Sequence, residues 1–278
     1  MLKLFLQEMR FRRGAIIGWG LGLCFFPVVY VGLYPSFADQ MASFQELLEM
    51  PIYQAMGMSM ATFEDYAAST VTNLVPLILA IYAVINGTGT LAGEEDDGRL
   101  ETVVALPIPR WQIVTVKALA LTLALLIILL IAAAGAALTL SVVIQQVAIE
   151  ITPLRFFVEL MSAAPLVIAF AMISLFLGAF CPSRRTALAL ATVVVLASYL
   201  GSNLAGMIDA LEPVRGLFLF HYFEATGQAL VQGQQPGNLA VLAVVALAAF
   251  GLAVFFFQRR DITVGAWPWQ RGRMPAAR

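Results

Sequence analysis

Long, uninterrupted apolar runs dominate the hydrophobic pattern of this 278-residue chain. A transmembrane helix needs about 20 consecutive, mostly apolar residues, and six segments reach that length. Each run is continuously apolar and does not alternate as a membrane β-strand does, so helices are favoured over a barrel. The predicted spans cover about residues 14–34, 70–93, 118–145, 163–181, 187–207 and 239–257.

The segments around these spans predict further helices in a single all-α, polytopic membrane domain covering residues 1–278. Residues 1–13 place apolar and basic side chains on largely opposite helical faces, which predicts a helix lying along the headgroup layer. Residues 208–238 are too long for a tight turn, and their aromatic stretch is too short to cross the bilayer. We therefore expect a re-entrant or outer interfacial helix before the last span. Residues 258–278 form a basic tail with two tryptophans, typical of a membrane-surface anchor.

Composition supports lipid as the solvent. Hydrophobic residues make up 61% and charged residues 12% of the chain, whereas soluble domains contain about 45–50% and about 25%. Cys24 and Cys181 show no CxxC or metal-ligand spacing and are interpreted as small packing residues. His221 is the single histidine, and no Ser/His/Asp set stands out. The sequence therefore predicts no metal site, no bound cofactor and no catalytic centre in this chain.

The distribution of Lys and Arg predicts the topology. Of 16 such residues, 14 lie before span one, between spans two and three, between spans four and five, or after span six. Only Arg155 and Arg215 fall on the other side. The positive-inside rule therefore places both termini in the cytoplasm. Span one is about 20 residues long, longer than the usual 7–15 of a signal-peptide core, so we expect an uncleaved anchor of an inner-membrane protein.

One polar stretch between spans two and three, GEEDDGRLETVVALPIPRWQ (93–112), carries four consecutive carboxylates. Adjacent side chains on a helix diverge by about 100°, so they cannot all face one metal ion, and the spacing does not match an EF-hand loop. The preceding Gly87, Gly89 and Ala92 echo a dinucleotide-binding fingerprint, but they lie inside a predicted span instead of after a β-strand. Gly89 and Gly93 are better explained as small residues that permit close helix packing.

The same stretch is typical of a short helix presented to a partner. Asp96 or Asp97 can cap its N-terminus, apolar residues recur at helical spacing after them, and Pro107 and Pro109 end it. The alternative is that the apolar stripe lies on lipid or on its own subunit. The carboxylates argue against lipid, because the cytoplasmic leaflet is negatively charged.

Residues 93–117, GEEDDGRLETVVALPIPRWQIVTVK, resemble the segment that follows span two in permease subunits of type-2 ABC exporters. The shared pattern is an acidic pair, a glycine, a Leu-Glu pair, an aliphatic run, Pro-x-x-Arg and a basic residue before span three. Residues 181–190, CPSRRTALAL, are similar to the loop between spans four and five of that family. The matching positions in the first segment are Glu94, Glu95, Gly98, Leu100, Glu101, Leu106, Pro107, Arg110 and Lys117, with Arg99 at a place that is often Thr.

The resemblance implies the membrane half of an exporter. Such a chain pairs with a second copy of itself or a paralogous permease, and docks a separate cytoplasmic ATPase that binds ATP and Mg. Closure of the ATPase would then move spans one to three. The lipid bilayer is the other partner, and no nucleic acid is expected. The implied ATPase-coupling residues are Glu94, Glu95, Gly98, Arg99, Leu100, Glu101, Val104, Leu106, Pro107 and Arg110, with Ser183, Arg184 and Arg185 in the second cytoplasmic loop.

Two other classes of function remain as alternatives. A secondary carrier or channel would work without an ATPase, but no predicted span contains a well-buried ionisable residue of the kind that ion relays use. A membrane-embedded lipid-modifying enzyme would need convergent catalytic groups near one membrane face, and only scattered carboxylates occur there. Methionines and aromatic residues near the outer face favour an apolar or amphipathic cargo such as a lipid, drug or antibiotic.

Overall fold

Apolar runs become helices throughout the part of the chain that this computed structural model describes, which is residues 1–48, 62–96, 108–206 and 208–259. These ranges contain no strand, and the structure is 87% helical. Six helical stretches among the described residues are long and apolar enough to cross a membrane. The prediction of an all-α protein with six membrane-spanning helices is therefore confirmed.

The helices differ in length and regularity. The second span, Phe63–Asp96, contains two π-helical turns, Ala68–Thr72 and Gly89–Gly93, and turns of this kind are frequent at functional sites. Two 3₁₀-helices, Asp209–Leu217 and Leu219–Tyr222, follow the fifth span. The described α-helices are α1 (Leu2–Leu48), α2 (Phe63–Asp96), α3 (Arg110–Val143), α4 (Pro153–Met161), α5 (Ala164–Phe180), α6 (Arg184–Ala205), α7 (Gly227–Gln232) and α8 (Pro236–Gln258).

The first helix differs from its prediction. Residues 1–13 were expected to form a separate helix along the headgroups, but α1 begins at Leu2 and continues without a break through the first span. Nothing in the sequence ends a helix at this point, because a lone Gly14 costs only about 1 kcal/mol inside a helix. Residues 2–13 are therefore the first turns of α1, and two of their charged side chains contact other helices.

Small residues set the distance between α2 and α5. A Cβ atom at Gly87 would lie 2.6 Å from the Cβ of Ser174, and one at Gly178 would lie 3.2 Å from the carbonyl oxygen of Thr88. The two helix backbones are thus close to each other over about two turns. Helix α5 is the centre of the bundle, since it packs against α2, α3, α6 and α8, while α1 packs mainly along α3.

The segment before the last span folds back onto the bundle. Phe220 is buried between Phe170 of α5 and Tyr199 of α6, with ring centroids 5.4 and 5.2 Å apart. Its backbone N–H donates to the hydroxyl oxygen of Ser198 at 3.1 Å. The expected helical segment before span six is therefore present, and its aromatic stretch is held by specific partners.

Candidate functional site at the basic end of the bundle

Six helix termini among the described residues meet at one end of the molecule. Helices α1, α3 and α6 begin there, and α2, α5 and α8 end there, as the contacts between their terminal residues show. We term it the basic end, because the arginines and lysines of residues 1–13, 110–117 and 184–185 lie there. Residues 97–107, which connect α2 to α3, start and finish at this end.

At the basic end, one lysine joins three helices. The ammonium nitrogen of Lys117 on α3 lies 2.6 Å from a carboxylate oxygen of Glu8 on α1 and 2.7 Å from both carboxylate oxygens of Glu94 on α2. The Lys117 side chain is 0% exposed, and those of Glu8 and Glu94 are 12% and 19% exposed. These three residues, here the Lys117 triad, form short, charge-assisted hydrogen bonds in a largely dry environment.

A second polar link connects α1 to α2. Arg12 lies one helical turn after Glu8, and its guanidinium is 3.7 Å from the Glu8 carboxylate. The same guanidinium donates a 2.8 Å hydrogen bond to the hydroxyl oxygen of Thr90, which lies in the second π-helical turn of α2. The network therefore contains two positive and two negative side chains, and its charges balance.

The burial of Lys117 corrects the expectation that no span contains a well-buried ionisable residue. That expectation placed Lys117 in the loop before a span starting at residue 118. In the structure Pro109, with an extended backbone, caps a helix that begins at Arg110, so Lys117 lies two turns inside α3. A buried charge is costly unless it is paired, and the two carboxylates supply the pairing.

The loop between α5 and α6 contacts the end of α2. Ser183 caps α6 by accepting a hydrogen bond from the Thr186 backbone N–H. The Arg184 backbone N–H donates to the Asp96 carboxylate at 3.3 Å. The Arg184 side chain lies across Gly89 and Gly93, where a Cβ at Gly93 would be 3.2 Å from its Cδ atom. The room left by these glycines is thus filled by an arginine side chain.

These contacts place the loop between α5 and α6 against the terminus of α2. A family model described as ABC-2 family transporter protein matches residues 2–262, nearly the whole chain. The chain belongs to this family. No curated protein matches it at a significant level.

Membership of the ABC-2 transporter family confirms the resemblance drawn from residues 93–117 and 181–190. The chain is therefore a multi-pass membrane permease subunit of an ABC transporter, a type of protein that works with an ATPase partner. Subunits of this family generally transport and do not catalyse.

The structure brings part of the predicted coupling set together in this ABC-2 protein. Glu94 belongs to the Lys117 triad, Glu95 follows it in the same turn, and Arg110 begins α3. Ser183 and Arg184 contact their neighbours as described, and Arg185 is exposed. The remaining members lie outside the described residues, namely Gly98, Arg99, Leu100, Glu101, Val104, Leu106 and Pro107.

Glu8, Arg12 and Thr90 were not predicted as functional. The sequence did hold one signal, because Glu8 is the only acidic residue in a basic segment and has an arginine four positions later. That spacing is typical of an ion pair on one helix face. The contacts of Glu8 with Lys117 and of Arg12 with Thr90 depend on tertiary structure, since the partners are 109 and 78 positions apart.

An apolar groove of about 670 Å³ opens along the face of α1 beside Ile78 of α2. Its floor includes Gly14, Gly18 and Gly22, at each of which a Cβ atom would meet nothing within 4 Å. Along this stretch α1 contacts α2 through large side chains, such as Trp19 against Tyr82 with ring centroids 5.4 Å apart, and its glycine face remains open. The polar contacts at the basic end are a direct connection between α1 and α2.

The opposite end of the bundle has its own buried carboxylates. The amide nitrogen of Gln234 donates to Glu159, which is 2% exposed, and to the Glu224 carbonyl oxygen. The Glu224 backbone N–H in turn donates to the Gln234 side-chain oxygen at 2.9 Å. Nearby, burial and then the positive charge of Arg215 lower the pKa of His221. These contacts fasten the segment before α8 to α4.

Proposed function

We propose that this chain is the membrane half of an ATP-driven exporter in the inner (cytoplasmic) membrane. Its basic end faces the cytoplasm and docks a separate ATPase, and the bundle moves an apolar or amphipathic substrate outward. The observation that carries the proposal is the convergence of α1, α2, α3 and α6 on the Lys117 triad and the Arg184–Asp96 contact, beside both loops of this end. A force applied to those loops would reach four spans at once.

The charge distribution supports this orientation. In the sequence, 14 of the 16 Lys and Arg residues precede span one, follow span six, or lie between spans two and three or four and five, and such residues accumulate on the cytoplasmic side of membrane proteins. The two exceptions, Arg155 and Arg215, lie in segments of the opposite end. The carboxylates of Glu94 and Asp96 do not oppose the assignment, because acidic residues contribute little to the rule.

The proposed docking surface consists of the connection between α2 and α3 and of the loop before α6. Glu94 bonds Lys117 inside the bundle, so we assign its charge to the permease itself. Contact with the ATPase then falls to Glu95 and Glu101, to the apolar residues from 100 to 106, and to Arg185. ATP and Mg bind to the partner chain, and a second permease copy or a paralogue completes the transporter.

The test is to copurify the chain with its partner ATPase and to reverse one charge of the proposed docking segment. Glu101→Lys should weaken assembly and reduce permease-dependent ATP hydrolysis several-fold. Glu212→Lys, an exposed acidic position at the opposite end, is the matched control and should change neither. Full assembly and hydrolysis in Glu101→Lys would reject this docking surface.

A secondary carrier gains one supporting observation from the structure. Lys117 and Glu159 are buried ionisable residues of the kind that ion-coupled carriers use. They lie at opposite ends of the bundle, however, and each has hydrogen-bonding partners of its own. Transport by the purified chain in vesicles without any ATPase would favour the carrier over the exporter.

A further inference from the structure

We propose that Glu8, Arg12 and Lys117 are positioning residues that make α1 follow the ends of α2 and α3 when the ATPase closes. The inference rests on the proposed function and names the contacts through which motion at residues 97–107 reaches the first span. The observations behind it are the geometry of the Lys117 triad, the Arg12–Thr90 bond and the groove beside α1.

The Lys117 triad lies close to the residues that connect α2 to α3. Helix α2 ends at Asp96 and α3 begins at Arg110, so a movement of the connection between them would act on both helix ends. Glu94 lies two residues before that end, and both of its carboxylate oxygens accept from the Lys117 ammonium. The two helix termini are therefore cross-linked immediately behind the segment proposed to dock the ATPase.

Helix α1 has no covalent connection to α2 or α3 at the basic end. The chain passes from α1 to α2 at the opposite end of the bundle, because α1 begins at the basic end and α2 finishes there. Along the groove, Gly14, Gly18 and Gly22 leave open space instead of close contact. At the basic end, Glu8 and Arg12 supply bonds from α1 to both α3 and α2.

The contacts of α1 at the basic end are hydrogen bonds between charged or polar side chains. Close packing already holds α1 to α3 along the membrane, with the Ile131 side chain against Gly20 and Cys24 against Gly135. Apolar contact is not directional, however, and does not by itself fix the relative positions of the ends of α1, α2 and α3. Separating Glu8 from Lys117 would instead leave a charge in a largely dry site without its partner, which is strongly unfavourable. Such a contact holds its geometry during a helix movement, so α1 is carried along with α3.

The test removes only the α1 side of the network. The double variant Glu8→Met/Arg12→Met deletes one negative and one positive charge and leaves Lys117 paired with Glu94. Spin labels on cysteines at positions 37 of α1 and 154 of α4, both exposed at the opposite end, report the movement of α1. Cys24 and Cys181 are first replaced by alanine, and this background is measured in complex with the ATPase.

Distances are measured without nucleotide and after trapping ATP with vanadate. The background protein should show a shift in the 37–154 distance, and so should the control Arg10→Met, which alters an exposed residue of α1. The double variant should trap as much nucleotide and show a smaller shift. A merely structural role for Glu8 and Arg12 would change stability but would leave the shift in place.

The outcomes separate the inference from the function on which it rests. An undiminished shift in Glu8→Met/Arg12→Met overturns the inference and leaves the exporter proposal intact. A background protein that neither binds the ATPase nor shows any nucleotide-dependent shift overturns both. Should the double variant fail to assemble, Glu8→Met alone replaces it, because methionine cannot accept the bond from Lys117, and a full shift there overturns the inference.

Discussion

Gly87 is the position at which one methyl group tests the packing of α2 against α5 most directly. A Cβ atom there would lie 2.6 Å from the Cβ of Ser174 and 3.0 Å from the carbonyl oxygen of Ala171. Carbon atoms in contact normally lie about 3.5–4.0 Å apart, so the added carbon would be about 1 Å too close. A backbone oxygen and a Cβ atom cannot move away by side-chain rotation, so the helices themselves must separate.

We expect Gly87→Ala to lower the free energy of unfolding by about 1–3 kcal/mol, the usual cost of overpacking a well-packed core. The higher helix propensity of alanine, about 0.8–1.0 kcal/mol in peptides, opposes this loss and favours the lower part of that range. The control is Gly251→Ala in α8, where a Cβ atom meets nothing within 4 Å. It should be neutral or slightly stabilising.

The assay is thermal unfolding of both variants and the parent protein in one detergent, followed by intrinsic fluorescence. The argument requires a lower midpoint for Gly87→Ala alone. An unchanged or raised midpoint would mean that α2 and α5 have room for the methyl group. An equal loss at Gly251 would show that the effect of a methyl group does not depend on the contacts seen at Gly87. Either result would refute the reasoning.

Three further predictions concern polar residues. Lys117→Met should cost about 3–5 kcal/mol in denaturant unfolding, because it strands two carboxylates in a largely dry site, whereas Lys3→Met, at an exposed position, should cost almost nothing. Gln234→Leu removes the donor to buried Glu159 and should lower stability by about 1–3 kcal/mol, measured by the midpoint of thermal aggregation. Because burial lowers the pKa of His221, the unfolded chain binds a proton below about pH 6.5 that the folded protein still resists. Stability should therefore fall as the pH drops below that value, and His221→Asn should reduce this pH dependence.

The spans were predictable because lipid imposes a simple rule on sequence. An uninterrupted apolar run of about 20 residues has almost no alternative to a membrane helix, and all six runs gave one. Helix ends were less predictable, since charged residues were taken as the limits of spans. Lys117 shows why that fails: a paired charge can lie inside a span, two turns beyond the capping residue Pro109.

The candidate site was only partly predictable. The acidic run and the prolines identified the connection between α2 and α3 from local pattern alone. The partners of the acidic run could not be predicted in the same way. Arg184 contacts Asp96 from 88 positions away, and Glu8 is connected to Glu94 only through Lys117. Such pairings depend on which helix ends meet, and the sequence pattern of one segment does not contain that information.

Two carboxylates of the acidic run have an internal role in this structure. The side chains of Glu94 and Asp96 bond groups of the bundle, Lys117 and the Arg184 backbone, and so contribute to how helix ends are held together. A charge reversal at Glu94 would therefore disrupt internal packing even if no ATPase touched it. Loss of assembly after such a change could not be assigned to docking. Charge reversals meant to locate the ATPase groove should avoid Glu94, and Glu94 should instead be tested for its effect on α1, to which it is connected through Lys117 and Glu8.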